Sequence, residues 1–160
     1  MSSSSSGSRA LRAIVFGGLI AGAFDITYAC VFFGLRNHVS PIRIFQSVAR
    51  GALGQNAFLG GYKTAVLGLF FHFLIALIAA AVYFIASRAL RFMITHPIIC
   101  GILFGASVYF FMYGIVMRVS AIHSTTLPWN YPWGVLIPNL LIHMLGIGLP
   151  IALVTRHYSK

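Results

Sequence analysis

The residues most able to do chemistry in this sequence are one acid and two histidines that fall inside apolar stretches. Asp25 is the only acidic residue among 160, and it lies within an apolar run at residues 13–35. If this run crosses a membrane, inserting a carboxylate near its middle costs roughly 2.5–3.5 kcal/mol. The side chain should therefore be paired, protonated or exposed to water inside the protein. His72 and His143 lie in two further apolar runs. An intramembrane acid close to imidazoles is typical of proton or cation sites.

The composition indicates an integral membrane protein. Hydrophobic residues make up 59% of the chain and charged residues 8%, whereas a soluble domain carries about a quarter charged residues. The net charge of +10 could indicate nucleic-acid binding. The cations stand singly at the ends of apolar runs, however, which is typical of anchoring to lipid headgroups. We therefore expect the lipid bilayer, and no nucleic acid, as a partner.

Four apolar runs have the ~20 residues that a helix needs to cross ~30 Å of hydrocarbon. They cover residues 13–35, 64–87, 97–117 and 134–155. The sequence therefore predicts an all-α bundle of four transmembrane helices, in a single membrane domain over residues 11–160.

Two segments outside these runs have their own signatures. Residues 1–10 are rich in Ser, which predicts disorder. Ser40 and Pro41 are a good N-cap and a good first helical residue, and an apolar face follows, so we expect an interfacial helix over residues 41–53. This helix would lie on the membrane surface or against the bundle; an ordered loop is the alternative.

The chain also contains a sparse internal repeat. A shift of 71 residues places Leu69, His72, Leu74 and Ala81 on Leu140, His143, Leu145 and Ala152, and a shift of 83 places Gly18, Gly22 and Ala23 on Gly101, Gly105 and Ala106. This pattern predicts two helical hairpins duplicated in the same orientation. Asp25 corresponds to Val108, so the acid belongs to one half only.

Helical spacing puts the polar groups on faces that also carry small residues, where membrane helices approach each other closely. These faces should therefore point inward. We expect helix packing at Gly18, Gly22, Gly101, Gly105, Gly146 and Pro150. Pro150 removes a backbone amide and frees the carbonyl of Gly146, which predicts a kink.

The polar residues that are predicted to point inward also lie at similar depths in the membrane. At 1.5 Å per residue, Asp25, His72, Tyr109 and His143 all lie about 16–18 Å from the same membrane face. With Asn139 one turn from His143, these five residues are the predicted proton or ion site. The alternative is that the histidines are hydrogen-bonding partners of Asp25 that hold the bundle together.

Short motifs along the chain resemble the YagU-like group of small bacterial inner-membrane proteins of unassigned activity. They are the stretches Gly18-Leu-Ile-Ala-Gly22, Leu67-Gly-Leu-Phe-Phe-His72, Gly101-Ile-Leu-Phe-Gly105, Leu127-Pro-Trp129 and Ile142-His143. The resemblance implies a bacterial inner membrane and four helices, and it supplies no catalytic residues.

The orientation depends on a narrow difference in positive charge. Six cations lie on the side of the termini and five on the opposite side. Short loops carry more weight, and Arg88 with Arg91 occupies the shortest, which predicts cytoplasmic termini. Trp129, Tyr131 and Trp133 would then form an aromatic belt at the outer interface.

Three classes of function fit these observations. The first is proton-coupled transport through the Asp/His site. The second is a non-catalytic accessory subunit. For both classes the candidate partners are a second copy of the chain or a larger membrane complex. The third is a redox protein in which His72 and His143 bind haem or a metal. No soluble-enzyme motif occurs, and Cys30 and Cys100 lie at different depths, so we expect neither an enzyme nor a disulfide.

Overall fold

The computed structural model describes residues 3–159, with side chains from Gly7 onward. Its helices are α1 (Ser3–Asn37), α2 (Pro41–Leu53), α3 (Gly61–Ala89), α4 (Phe92–Thr95), α5 (Pro97–Phe111), α6 (Met117–Val119), α7 (Trp133–Ile142) and α8 (Leu149–Tyr158). Two π-helical segments, Met112–Val116 and His143–Gly148, join α5 to α6 and α7 to α8. Short 3-10 helices occupy Gly54–Phe58 and Pro128–Asn130.

Four continuous helices are long and apolar enough to cross a membrane, as the sequence predicts. These spans are Gly7–Asn37, Gly61–Ala89, Pro97–Val119 and Trp133–Tyr158. They are called the first to fourth spans. One end of the bundle carries both ends of the described chain and is called the terminal end; the other carries residues 38–60 and 120–132 and is called the loop end.

The first helix begins closer to the N-terminus than the composition predicts. Residues 1–10 were expected to be disordered, but α1 begins at Ser3. An existing helix gains one backbone hydrogen bond for each residue added, so extension from the apolar span costs far less than nucleation. Met1 and Ser2 lie outside the described residues.

The predicted helix over residues 41–53 is present with the same bounds. The Ser40 side chain accepts a hydrogen bond from the Arg43 amide at the N-terminus. Of its two predicted placements, α2 takes the one against the bundle. Its Phe45 carbonyl packs onto Gly68, and Gln46 Nε2 donates to the Gly61 carbonyl at 3.0 Å.

The glycines predicted for helix packing lie where two spans touch. A methyl group built at Gly18 would lie 2.8 Å from the Cα of Leu77, and one at Gly105 would lie 2.6 Å from the Cα of Met144. These distances are shorter than real Cβ contacts allow. A methyl group built at Gly146 would lie 3.4 Å from the Cβ of Phe24 on the first span.

The glycine contacts also follow the predicted repeat. Gly18 and Gly22 meet Leu77 and Phe73, and the residues shifted by 83, Gly101 and Gly105, meet Gly148 and Met144. The partners are themselves shifted by 71. Both hairpins therefore pack through equivalent positions, which supports the two-hairpin interpretation.

The terminal end of the bundle is filled by a cluster of buried apolar residues from all four spans and from α4. Its members are Ala21, Ala80, Tyr83, Met93, Cys100, Ile147, Ile151 and Ala152. Tyr83 is fully buried, and its hydroxyl donates to the Met93 carbonyl at 3.2 Å. Cys100 and Cys30 are both free thiols.

Near Pro150, where the sequence predicts a kink, the fourth span contains the π-helix at His143–Gly148. Pro150 has no amide to donate, so the i to i+4 pattern cannot run unbroken through this turn. π-helices are rare, occur mostly as single turns inside α-helices and are frequent at functional sites. His143 begins this segment.

We predict that Gly105→Ala destabilises the protein and that Gly17→Ala does not. The added methyl group at Gly105 meets backbone atoms of the fourth span, whereas at Gly17 its nearest neighbour is 3.7 Å away. Overpacking of this kind costs about 1–3 kcal/mol. Thermal unfolding in detergent should show a lower Tm for the first variant and an unchanged or higher Tm for the second. Equal Tm values would contradict the close helix contact.

Candidate functional site

A cavity of about 560 Å³ lies inside the bundle and reaches the loop end. Toward the terminal end it stops at Ala21, Ala79 and Ile147, directly above the buried apolar cluster. All four spans and α2 contribute to its wall. The wall is mostly apolar; its polar or ionisable side chains are Asp25, Tyr28, Arg43, Ser47, His72, Tyr113, Ser120, Tyr131, Asn139 and His143. Cavities of this size and character hold one small organic molecule.

Asp25 and His72 meet on this wall. The Asp25 Oδ2 and the His72 Nδ1 are 4.0 Å apart, with side-chain exposures of 21% for Asp25 and 12% for His72. They come from the first and second spans, whose close approach depends on Gly22. The shared depth and the inward faces predicted this proximity. Because both groups border the cavity, a bound molecule or water could reach them.

The surroundings of His72 determine which nitrogen carries an exchangeable proton. The His72 Nε2 lies 2.9 Å from the Gly22 carbonyl oxygen. A carbonyl only accepts, so Nε2 carries a hydrogen and donates it. Nδ1 is then the nitrogen that can gain or lose a proton, and it faces Asp25. At 4.0 Å the two atoms are too far apart for a direct hydrogen bond, and the separation is one that a water molecule or a bound group can bridge.

His143 lies across the cavity and is held by its own helix. Its Nδ1 is 2.7 Å from the backbone carbonyl of Asn139, to which it donates. The Asn139 side chain in turn donates to the Val135 carbonyl at 2.7 Å. Both residues are buried and line the cavity. The lone pair of a neutral His143 is therefore on Nε2.

Tyr109 does not join the polar group. It is buried, and its hydroxyl donates to the Pro128 carbonyl at 3.2 Å near the loop end. Its ring packs edge-on against His143, with ring centroids 5.4 Å apart. Tyr109 is not among the residues that line the cavity. It therefore supports the position of the His143 ring from behind.

Several cavity residues were not predicted as site residues. Tyr28 and Tyr113 lie on the wall beside Asp25 and His143, and Arg43 of α2 lies at the loop end. Tyr28 is one helical turn after Asp25, which could have indicated it. Nothing in the sequence indicates that α2 covers the cavity.

The predicted aromatic belt is only partly present. Trp129 and Trp133 are exposed at the loop end. Tyr131 instead turns inward, lines the cavity and packs edge-on against Tyr113, with centroids 5.4 Å apart. Pro128 and Pro132 bend the connecting segment between these aromatic residues.

The donor geometry gives little support to haem or metal binding. The His72 Nε2 is engaged by the Gly22 carbonyl and the His143 Nδ1 by the Asn139 carbonyl. Two imidazoles would thus have to present different nitrogens to one ion. No group of three or more His, Cys, Asp or Glu that could hold a metal occurs within residues 3–159.

No protein-family model matches the chain, and no curated protein or solved structure shows significant similarity to it. The arrangement of the cavity residues is therefore the basis for assigning a function.

We predict that the stabilities contributed by Asp25 and His72 are coupled. Removing His72 from the wild type leaves a carboxylate in an apolar wall without its partner, whereas in Asp25→Asn no charge is left behind. His72→Ala should therefore lower the free energy of unfolding more in wild type than in Asp25→Asn, by about 0.5–3 kcal/mol. Unfolding of all four proteins in detergent measures this difference.

The control is His157→Ala, which changes an exposed histidine at the terminal end. It should cost the same with Asp25 as with Asn at that position. Additive effects of Asp25→Asn and His72→Ala would show that the two side chains do not interact.

Proposed function

We propose that this membrane protein carries a small solute across the bilayer coupled to protons, with Asp25 and His72 as the proton-binding pair. The observation that carries the proposal is the position of this pair on the wall of a cavity inside the bundle, with the Asp25 Oδ2 and the His72 Nδ1 4.0 Å apart. An ionisable pair inside a membrane is costly and is typical of proton relays and substrate pathways.

The closed terminal end supports transport rather than free conduction. The cavity reaches the loop end, while apolar side chains that are at most 9% exposed fill the terminal end. A carrier holds its substrate in a site that faces one side at a time, and its sites lie near the middle of the membrane. A continuous pore would need a polar path through the terminal end.

Charge supports the proton coupling. The chain has one acid against eleven Lys and Arg, so no second carboxylate can neutralise a proton or cation inside the bundle. A proton on the Asp25–His72 pair changes the charge of the cavity. Binding of a charged solute and binding of a proton are therefore linked at one place.

We further propose a location in the bacterial inner membrane with both termini in the cytoplasm. The positive charges near the short connection that holds Arg88 and Arg91 support this orientation. The resemblance to the YagU-like group supports the location and assigns no activity. In this orientation the cavity reaches the outer side.

We predict that Asp25→Asn abolishes flux driven by a pH gradient while the protein still inserts and folds. The substitution keeps the size of the side chain, removes the carboxylate on which proton binding by the pair depends and lowers the cost of insertion. The measurement is proton movement in proteoliposomes with an internal pH-sensitive dye, with candidate solutes added under an imposed gradient. His72→Ala should shift the pH dependence more than His143→Ala, because His72 faces Asp25 directly.

Ser107→Ala is the matched control, since Ser107 is exposed on the third span and bonds only within its own helix. It should behave as wild type. If wild type shows no gradient-dependent flux with any solute, or if Asp25→Asn is equally active, transport should be abandoned in favour of an accessory subunit.

A further inference from the structure

We propose that the substrate is a small lipophilic organic cation, and that its binding to Asp25 displaces the proton held on His72. This inference rests on the proposed transport role and adds the chemical class of the substrate and the order of exchange. It is derived from the charges, aromatic rings and hydrogen bonds that face the cavity.

The negative charge on the cavity wall favours a cation as the bound solute. Asp25 supplies the negative charge of the wall, and it lies deep, near Gly22 and Ala76. The one Lys or Arg of the lining, Arg43, belongs to the exposed loop end, where its guanidinium stacks on the Phe58 ring at 4.0 Å from the centroid. A cation inside the cavity would therefore meet a carboxylate, and an anion would meet the same carboxylate with repulsion.

The rest of the cavity wall is mostly apolar and includes aromatic rings. Most lining residues are aliphatic, and Tyr28, Tyr113 and Tyr131 add aromatic rings from the first span, the third span and the loop end. An apolar wall favours a ligand with an apolar body. Aromatic faces stabilise a desolvated cationic group, above all one that is not strongly hydrated. A substituted ammonium with a hydrocarbon or aromatic body fits both requirements.

The hydrogen bonding of His72 places one of its ring nitrogens next to Asp25. Nε2 is fixed as a donor to the Gly22 carbonyl, and Nδ1 faces Asp25. While the cavity is empty, a proton on Nδ1 forms an ion pair with the carboxylate. When an organic cation takes the carboxylate, the imidazolium faces a second positive charge in an apolar wall. Nδ1 then releases its proton to water at the loop end, and the imidazole remains neutral.

The other titratable groups at the cavity do not take this role. His143 on the fourth span donates from Nδ1 to the Asn139 carbonyl, and it lies on the opposite wall. The phenol groups of Tyr28, Tyr113 and Tyr131 carry no positive charge in either protonation state, so they cannot form the ion pair with Asp25. Arg43 on α2 remains charged. The exchange is therefore one cation for one proton, and the net charge of the site is unchanged.

The test uses benzyltrimethylammonium, a permanent cation that carries no proton of its own. Binding to the detergent-purified full chain is measured by calorimetry, and released protons are measured with an indicator dye in weakly buffered solution. Wild type should bind the probe and release one proton for each cation bound. The uncharged isostere 2,2-dimethylpropylbenzene and the anion phenylmethanesulfonate should release none.

The variants separate the two roles. Asp25→Asn should weaken binding of benzyltrimethylammonium at least tenfold, whereas His72→Ala should retain binding and lose proton release. His143→Gln, on the opposite wall of the cavity, should still release one proton for each cation bound, whatever its affinity. Thr27→Val, an isosteric change at an exposed position two residues from Asp25, should retain both binding and release. Unfolding curves establish that each variant is folded.

Three results would overturn the inference: binding of the anion in place of the cation, equal cation binding by wild type and Asp25→Asn, or proton release that is lost in His143→Gln and kept in His72→Ala. These results are independent of the transport assay. Cation binding with proton release but no gradient-driven flux would contradict transport alone. Asp25-dependent flux of an uncharged or anionic solute without cation binding would contradict the substrate class alone.

Discussion

A carboxylate inside a membrane must be compensated where it lies, and in this protein the facing span provides the compensation. His72 can serve Asp25 because its Nε2 is held by the carbonyl of Gly22, one turn before Asp25 on the same helix. The first span thus supplies both the acid and the hydrogen bond that orients its partner. Gly22 has no side chain to separate the helices, so the same residue also allows the second span to come close enough.

The remaining architecture divides the bundle into a tightly packed half and an open half. The terminal end is closed by small residues with Tyr83 and Ile151 between them. Toward the loop end the spans surround the cavity, and α2 covers it, tied to the 120–124 connection by the bond from the Ala121 amide to the Gly51 carbonyl at 2.9 Å. The duplicated glycine contacts make the two hairpins alike in packing. Val108 in the position of Asp25 makes the site asymmetric.

Sequence reasoning predicted features that follow from local composition and helical period. The spans, the cap at Ser40 and the inward faces of Asp25 and His143 belong to this group. The pairing of Asp25 with His72 followed from shared depth, but other contacts between distant segments were not predicted. Tyr109 had the expected depth but the wrong direction, because the Pro128 carbonyl takes its hydroxyl. The cover formed by α2 depends on the contact of Phe45 with Gly68, which no periodicity reveals.

The proposed transport would require the terminal end to open at some stage, and the packing distances indicate where. Within each hairpin, a methyl group built at Gly18 or Gly105 would lie under 3.0 Å from the facing backbone. Between hairpins the distances are ordinary: 3.7 Å from Gly17 to Ile151 and 3.4 Å from Gly146 to Phe24. Backbones in direct contact leave no soft side chain to yield, so each hairpin moves as a unit more easily than it separates. Asp25 and His72 belong to one hairpin, so in the proposed transport cycle this pair would stay together while the opposite wall of the cavity moves.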